Sequence, residues 1–556
     1  MSDAANGELL FVPLGGANEI GMNLNLYGFG GKWLMVDCGM TFADDTLPGI
    51  DLVLPDPAFV AERSQDLVAL VLTHAHEDHI GAVPYLWSRL RCPIYATPFT
   101  AALVRNKLAE AGLLDEVVLE VVPLGARLDL APFDVRYVSV THSIPEGNAL
   151  EIRTPAGLIF HTGDWKLDDE PLVGQPTDVA AITAIGDRGV LAMVCDSTNV
   201  FRSGESGSEA SVRANLLDIV RPKTGRVAIT SFASNVARID TAAHVAAACG
   251  RHLVPVGRSM WRNIQAARET GYLTHLSAPV TEAEGGFLPP RNALYLCTGC
   301  QGEPRGAMTR IATGGHAHIG LDEGDTVIFS SRIIPGNERS IGRLHNVLVT
   351  QGIEVITEKD HPVHVSGHPA RDELKRMYGW VRPRISVPVH GEARHIREHA
   401  RYARALQVPE AIVVENGAVV RLAPDPAGVI DHVAVGRLVV DGASIIDVDD
   451  ESLGARRKLT HNGLIMASLV VDLDGNLMAA PRVALIGVAD PMGTLAAGCV
   501  EALENGLATL RAARRVLDHA VEEAARAAVR RVLKPVTRKR PPIQIHLTRL
   551  AATGVR

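Results

Sequence analysis

The sequence predicts an α/β protein of several domains: a sheet-rich domain interrupted by an inserted α/β domain, then a small α+β domain. Three observations carry this. Short apolar and β-branched runs, each ended by a turn or ligand-type residue, fill the first 200 residues. Helix-like and strand-like segments then alternate from about 213 to 355. After 355 the strand-then-polar-end style returns, before a C-terminal stretch with its own rhythm.

In order, the first strands are LLFVPLGG, NLNLYGF, KWLMVDCG, LVALVLTH, PIYATP, VRYVSVTHS, GLIFHTGD and VLAMVCDS. Asp37, His74, His142, Asp164 and Asp196 stand at strand ends, where a rigid sheet positions a site. The alternating region pairs SVRANLLDIV with RVAITSFAS, VARIDTAAHVAAAC with HLVPVG, RSMWRNIQAARETG with ALYLCTG, GAMTRIA with DTVIFSS, and ERSIGRLHNVLVTQG with EVITE. Such βα units predict a parallel sheet. Residues 1–212 and 356–450 therefore read as two parts of one domain, with 213–355 inserted. Around DDESLGARRK a linker is expected over 451–460. The C-terminal domain, 461–556, reads as LIMASLVVDLDGNL and PRVALIGVA strands, one amphipathic helix over 501–534 and a closing IQIHLTRL strand.

At 47% hydrophobic and 21% charged residues, the chain can bury a large core. The opening MSDAANGELL has no basic and then apolar stretch, so no signal peptide is expected. No run approaches the ~18–20 apolar residues of a membrane span. A cytoplasmic address is expected. The seven scattered cysteines are not a disulfide framework. Cys297 and Cys300 form a C-x-x-C with no second pair nearby, which reads as two thiols at a strand end and not a zinc knuckle. The net charge of −8 lacks the basic footprint common in nucleic-acid binders, although an acidic enzyme can carry a local basic patch. The most basic stretch, RRVLKPVTRKRPP (530–542), reads equally as a solvated helix end or an RNA contact.

Chemistry concentrates in THAHEDHIGA, residues 73–82. His74, His76, Asp78 and His79 share a window too short for four independent structural roles. In a loop after a strand, His74 and His76 can point one way while Asp78 and His79 point another, which serves two neighbouring cations. Imidazole plus carboxylate suits zinc or manganese. His142, Asp164 and His390 each follow a further apolar strand.

H-x-H-x-D-H, a lone His, G-D and a distant His resemble the metallo-β-lactamase superfamily. The insertion, with Asp196 before it and HVSGH (364–368) and PVHGE (388–392) after it, resembles the β-CASP nucleases. LGGANEIGMN, VDCGMTF, HTGDWKLD, DSTN, FASN, GRSM, QGEP, IIPGNE and HVSGH together resemble the ribonuclease J family over about 9–450, and KRPPIQIHLTRL extends the likeness to the C-terminal domain. The resemblance implies an αββα metallo-β-lactamase sandwich with an inserted β-CASP domain. It also implies that His74, His76 and His142 hold one metal, that Asp78, His79 and His390 hold another, and that Asp164 bridges them. Two divalent ions per chain are expected, zinc first, with manganese or magnesium as alternatives in activity. Asp37 is expected to orient a metal-binding histidine, since such ligands donate their other N–H to a carboxylate.

Two metals clamp the oxygens of a displacement at phosphorus. Asp78 is expected to orient the attacking water, and His364 to protonate the leaving oxygen with Asp196 holding its ring. By position alone Asp196 reads as a turn or cap residue of DSTN; the resemblance gives it the catalytic role. Gly- and Ser-rich segments offer backbone N–H nests for phosphate. Ser234 and Asn235 of ASN, with His364, Ser366, Gly367 and His368 of HVSGH, are expected to hold a 5′-monophosphate. Arg262 and Arg332 are weaker phosphate candidates, and LGGANEIG is not a P-loop. Cys300, Trp261 and Arg305 depart from the family pattern in segments expected to touch substrate. The expected activity is 5′→3′ exoribonuclease with endonuclease cutting, in RNA decay and maturation. The alternatives are a DNA-cutting β-CASP nuclease and an RNA-binding scaffold. A lactonase or β-lactamase has no need of the insertion. Expected partners are RNA, further copies of the chain joined by the C-terminal domain as dimer or tetramer, and RNA-degradation proteins; no membrane is expected.

Overall fold

Apolar strands that stop at polar residues build two facing sheets in the computed structural model, which describes residues 7–551. The chain forms two units. One comprises the described residues up to Thr41 with Val53–Arg437; the other comprises Phe42–Leu52 with the described residues from Leu438.

In the larger unit the first sheet has eight strands, with Leu9–Gly15, Leu24–Phe29, Lys32–Val36 and Leu67–Val71 adjacent at its centre. The second has seven, including Phe133–Ser139, Asn148–Thr154, Gly157–His161, Ala192–Asp196 and Ile385–Val389. Alternate residues of both sheets, among them Phe11, Tyr27, Val36, Val71, Tyr137, Leu150, Ile159, Val194 and Val387, share one buried core. The outer face of the second sheet is covered by helices Val179–Asp187, Arg371–Val381 and Ala393–Ala405 through Ile182, Met377, Tyr378 and Ala403. Helix Pro98–Glu110 lies beside edge strands of the first sheet. The result is a helix–sheet–sheet–helix sandwich.

Strand direction places the site. Gly157–His161, Ala192–Asp196 and Ile385–Val389 run parallel. Phe133–Ser139 runs the same way, because it is two antiparallel steps from Gly157–His161. His142, Asp164, Asp196 and His390 therefore emerge at one edge.

Between the sandwich strands lies an all-parallel sheet in the order His252–Val256, Ala293–Cys297, Val227–Thr230, Thr326–Phe329 and Glu354–Ile356. Its core includes Val254, Tyr295, Met308, Val327 and Leu348. The FASN, GRSM, QGEP and IIPG segments follow the carboxyl ends of its strands, the edge at which open parallel sheets bind ligands.

Buried charge fixes the two chain crossings. Glu373, fully buried, accepts from the N–H groups of Leu167, Ser206 and Ala370 and from the Ser206 hydroxyl. Arg238, also fully buried, donates to Glu209 on the outgoing segment and to the Val363 carbonyl on the returning one.

In the smaller unit, Leu464–Val471 pairs antiparallel with Arg482–Ile486 and parallel with Ile543–Arg549. Two expectations are corrected here. Residues 451–460 are not a linker but most of helix Glu451–Asn462, whose Asp450 side chain caps Ser452 N–H. The helix expected over 501–534 is three: Leu495–Ala508, Ala512–Arg515 and Asp518–Val536. The break lets Cys499, Leu503 and Leu507 pack with Val521, Ala525 and Val529 in one core, which a single straight helix would hold apart.

Candidate metal centre

Seven ligand-type side chains converge where the strands end. His74 Nε2 and His142 Nε2 each lie 3.0 Å from His76 Nδ1. Asp164 Oδ2 lies 3.2 Å from His79 Nε2, 3.4 Å from His390 Nε2, 3.9 Å from His142 Nε2 and 4.0 Å from His74 Nε2. Asp78 Oδ2 is 3.7 Å from His79 Nε2 and 3.8 Å from His390 Nε2. Two groups result: His74, His76 and His142, and Asp78, His79, Asp164 and His390. Asp164 Oδ2 is within reach of both.

The outer hydrogen bonds fix which nitrogen faces inward. His79 Nδ1–H donates to Asp37 Oδ2 at 2.7 Å, and His390 Nδ1–H to Asn23 Oδ1 at 3.0 Å. His142 Nδ1–H donates to the Gly367 carbonyl at 2.6 Å. Thr73 Oγ1 donates to Asp37, so it accepts from His74 Nδ1–H at 3.0 Å. Each ring thus turns its Nε2 lone pair to the cluster, the arrangement that metal-ligating histidines adopt. His390 Nε2 is buried without a hydrogen-bond partner, and one His76 proton cannot serve both facing nitrogens. Orphaned and opposed lone pairs around a buried carboxylate fit a divalent metal.

Local structure makes this geometry possible. Asp37 and His390 have φ of +64° and +51°, strained conformations for residues with a Cβ that the neighbouring hydrogen bonds must hold. A Cβ at Gly39 would sit 1.7 Å from the Asp78 carbonyl oxygen, so only glycine lets VDCGM pack on the HEDH loop. At Gly367 a Cβ would strike the His142 ring at 2.8 Å.

Electrostatics follow from burial. Burial, then the neighbouring imidazoles, holds His74 and His142 well below the usual imidazole range. Burial brings His76 down to about 4 despite Asp78. Burial opposes ionisation of Asp164, but protonation of the His390 and His79 rings on the inward nitrogen, where no ion takes the lone pair, outweighs it and holds the carboxyl well below the usual carboxylate range.

The expected Asp196–His364 pairing does not occur. Asp196 Oδ2 instead accepts from His368 Nδ1–H at 2.8 Å, because the SGH turn carries residue 368 over the strand end that bears Asp196. Burial lowers the His368 ring, yet Asp196, Asp164 and Asp78 outweigh this and push it up to about 9. His364 lies among cations: burial, with Arg238, Arg332, Lys166 and Arg202, holds its ring well below the usual range. Its Nδ1 is buried without a partner. Ser366 Oγ accepts from Asn199 Nδ2 at 2.7 Å and His368 N–H at 3.2 Å. Arg332 donates to Asn199 Oδ1 at 3.0 Å, which brings it to this group. Asn235 caps its helix by accepting from Arg238 N–H, and Ser234 is half-buried just before it. Arg262 is drawn away, paired with Glu110. Cys297 and Cys300 are buried free thiols. The Gln301 amide of QGEP bridges the Arg332 carbonyl and Ile334 N–H.

Sequence reasoning missed Asn23 and Asn199. Asn23 also donates to the Asp78 carbonyl at 3.0 Å. The available signal for Asn23 was an asparagine immediately before the mostly apolar strand Leu24–Phe29, and for Asn199 its place in DSTN just after strand Ala192–Asp196.

Comparison with known proteins places each domain in a family. Residues 23–143 match the metallo-beta-lactamase superfamily, and 224–348 match the family described as Ribonuclease J, beta-CASP domain. Residues 352–414 match a Zn-dependent metallo-hydrolase RNA specificity domain, and 452–550 the Ribonuclease J C-terminal domain. A protein named Ribonuclease J from Sinorhizobium meliloti is 44% identical over 554 residues, 98% of each chain. Its namesake from Thermus thermophilus is 34% identical over 516 residues, 91% of this chain and 90% of its own. A crystal structure described as a protein of unknown function from Enterococcus faecalis V583 shares the fold, with a TM-score of 0.51 at 15% identity, over 74% of this chain and 100% of its own. The sandwich is a metallo-β-lactamase domain with a β-CASP insertion and a C-terminal domain, and the chain belongs to the ribonuclease J family.

Proposed function

We propose that the chain is a metal-dependent ribonuclease that removes nucleotides 5′→3′ from 5′-monophosphate ends and also cuts internally. The observation that carries this reading is the pair of ligand groups sharing Asp164, with the Asp196–His368 pair beside them. His74, His76 and His142 would hold one divalent ion, Asp78, His79 and His390 a second, and Asp164 would face both. The imidazole–carboxylate donor set favours zinc, with manganese tolerated. Bound ions supply positive charge to the phosphate oxygens and make water acidic enough to act as nucleophile near neutral pH.

The rest falls to the chain's own groups. Asp78, half-buried at the margin of the cluster, accepts a hydrogen bond from the attacking water and orients it. Asp196 takes the Nδ1–H of His368, so the opposite nitrogen of that ring delivers a proton to the leaving 3′ oxygen. This role passes from His364 to His368 on geometry. His364, Ser366 and Arg332, with Ser234, Asn235 and the SGH backbone, receive the terminal phosphate, and the cations around His364 draw an anion there. A pocket for the 5′ phosphate beside the metal centre sets the cut one nucleotide in.

RNA is the proposed partner. Self-association through the smaller unit is proposed with it, supported by Met466 and Ile486, which stand exposed on one face of its sheet. Among the described residues no helix is long and apolar enough to cross a membrane. The test is a metal titration with cleavage read in parallel. The wild type binds divalent metal and degrades 5′-phosphorylated RNA, and Asp164→Asn loses both. Degradation by Asp164→Asn at the wild-type rate would refute the shared-carboxylate site.

A further inference from the structure

We infer that the C-terminal end of the smaller unit is a second RNA-docking surface, separate in sequence from every residue of the cleavage site. Residues 524–556 hold nine Lys or Arg and no Asp or Glu, so the rest of a chain of net charge −8 carries −17. Such asymmetry is the footprint of a polyanion site.

The structure shows which of these charges are free. Arg526 is paired with Glu522, and Arg549 with Asp518. Arg530, Arg531, Lys534, Arg538, Lys539 and Arg540 are all exposed, and among the described residues none has a carboxylate within ion-pair distance. The first three occupy the last turns of helix Asp518–Val536, whose opposite face is buried through Ala525, Ala528, Val529 and Leu533. The other three lie in the turn that leads into strand Ile543–Arg549, where the N–H groups of Lys539 and Arg540 are tied to Thr537 and Asn462.

Neither helix capping nor packing requires this charge. Cations complement the carboxyl end of a helix only within its last turn, which covers Lys534 and not Arg538–Arg540. Packing uses none of their side chains. Six unpaired cations in eleven residues repel one another, and a phosphate chain relieves that repulsion by displacing small counterions. On a chain otherwise so acidic, a local basic surface also gives a long RNA a place to gather.

This inference rests on the ribonuclease reading for its choice of RNA, but the test separates the two. Binding of a fluorescent 40-nucleotide RNA to the full chain is measured in chelator, so that nothing is cut, across a salt series. Each of two triple variants, Arg530→Ala/Arg531→Ala/Lys534→Ala and Arg538→Ala/Lys539→Ala/Arg540→Ala, is expected to weaken binding at least tenfold at low salt. Each is expected to lower the log–log salt slope by about two, at roughly 0.7 per phosphate contact on a single strand. Arg538→Lys/Arg540→Lys keeps the slope, which separates charge from folding. Metal-activated cleavage of a 5′-phosphorylated tetranucleotide stays at the wild-type rate in every variant. An unchanged slope in both triple variants overturns the inference, as does loss of binding to anionic vesicles with RNA binding intact. If wild type binds the long RNA through this surface and cuts no RNA with metal restored, the ribonuclease reading fails and the docking surface stands.

Discussion

Four of the five histidines in the cluster, His74, His79, His142 and His390, are each fixed by a polar partner on the outer ring nitrogen. Asn23 is the least visible of these, holding His390 through its carbonyl and the Asp78 backbone through its amide. Replacing Asn23 with alanine frees the His390 ring, and metal affinity is expected to fall by about 10–100-fold, as for other outer partners of metal ligands. A metal titration reads this, and saturating metal restores cleavage. Asp196→Asn and His368→Ala are expected to slow cleavage by about 10²–10⁴-fold, the usual contribution of a proton donor, with metal content unchanged. His364→Ala should keep the rate on 5′-hydroxyl RNA and lose the preference for a 5′-monophosphate, which competition between the two ends measures. The clustering of these side chains was legible in the sequence because four ligand-type residues crowd HAHEDH and the others each follow an apolar strand. The partner of Asp196 was not, because His364 and His368 lie four residues apart in HVSGH, and only the turn decides which ring arrives.

Elements position the cluster through strand direction, and the inserted domain through buried charge. Arg238 and Glu209 are both essentially excluded from solvent, and Arg238 ties the outgoing crossing to the returning one at Val363. Arg238→Met strands the Glu209 carboxylate, and a buried pair broken on one side costs about 3–5 kcal/mol. Thermal unfolding of the full chain is expected to move down accordingly. Arg238→Met/Glu209→Leu should recover much of the loss, because the desolvated charge is then gone. The alternation of helix and strand over 213–355 was enough to read a parallel sheet, since that pattern has few other solutions. The junction was not readable, since burial of Glu209, Arg238 and Glu373 depends on contacts distant in the chain. The same limit produced the single helix expected over 501–534. Its apolar phase continues across Thr509–Leu517, and only the need to bury both halves on one sheet folds it back.

At the scale of the whole molecule, the sandwich core and the metal cluster are distinct. The core is built from apolar residues of both sheets, and the ligands sit at strand ends beyond it. Chelation should therefore abolish cleavage while far-ultraviolet circular dichroism stays native, with a fall in melting temperature limited to the lost binding energy. Re-addition of zinc or manganese should restore activity; unfolding on chelation would place the ions in the fold's foundation. The claim that joins the scales is that a phosphate pocket and a metal centre together read RNA from its 5′ end. One measurement addresses it most directly. The same internally labelled RNA is prepared with a 5′-monophosphate and with a 5′-triphosphate, beside a DNA copy, and each is digested with manganese or magnesium, with Asp78→Ala as control. Mononucleotides are expected mainly from the monophosphorylated RNA, and none in the control. Equal internal cutting of both RNAs, or faster digestion of the DNA, would contradict the claim.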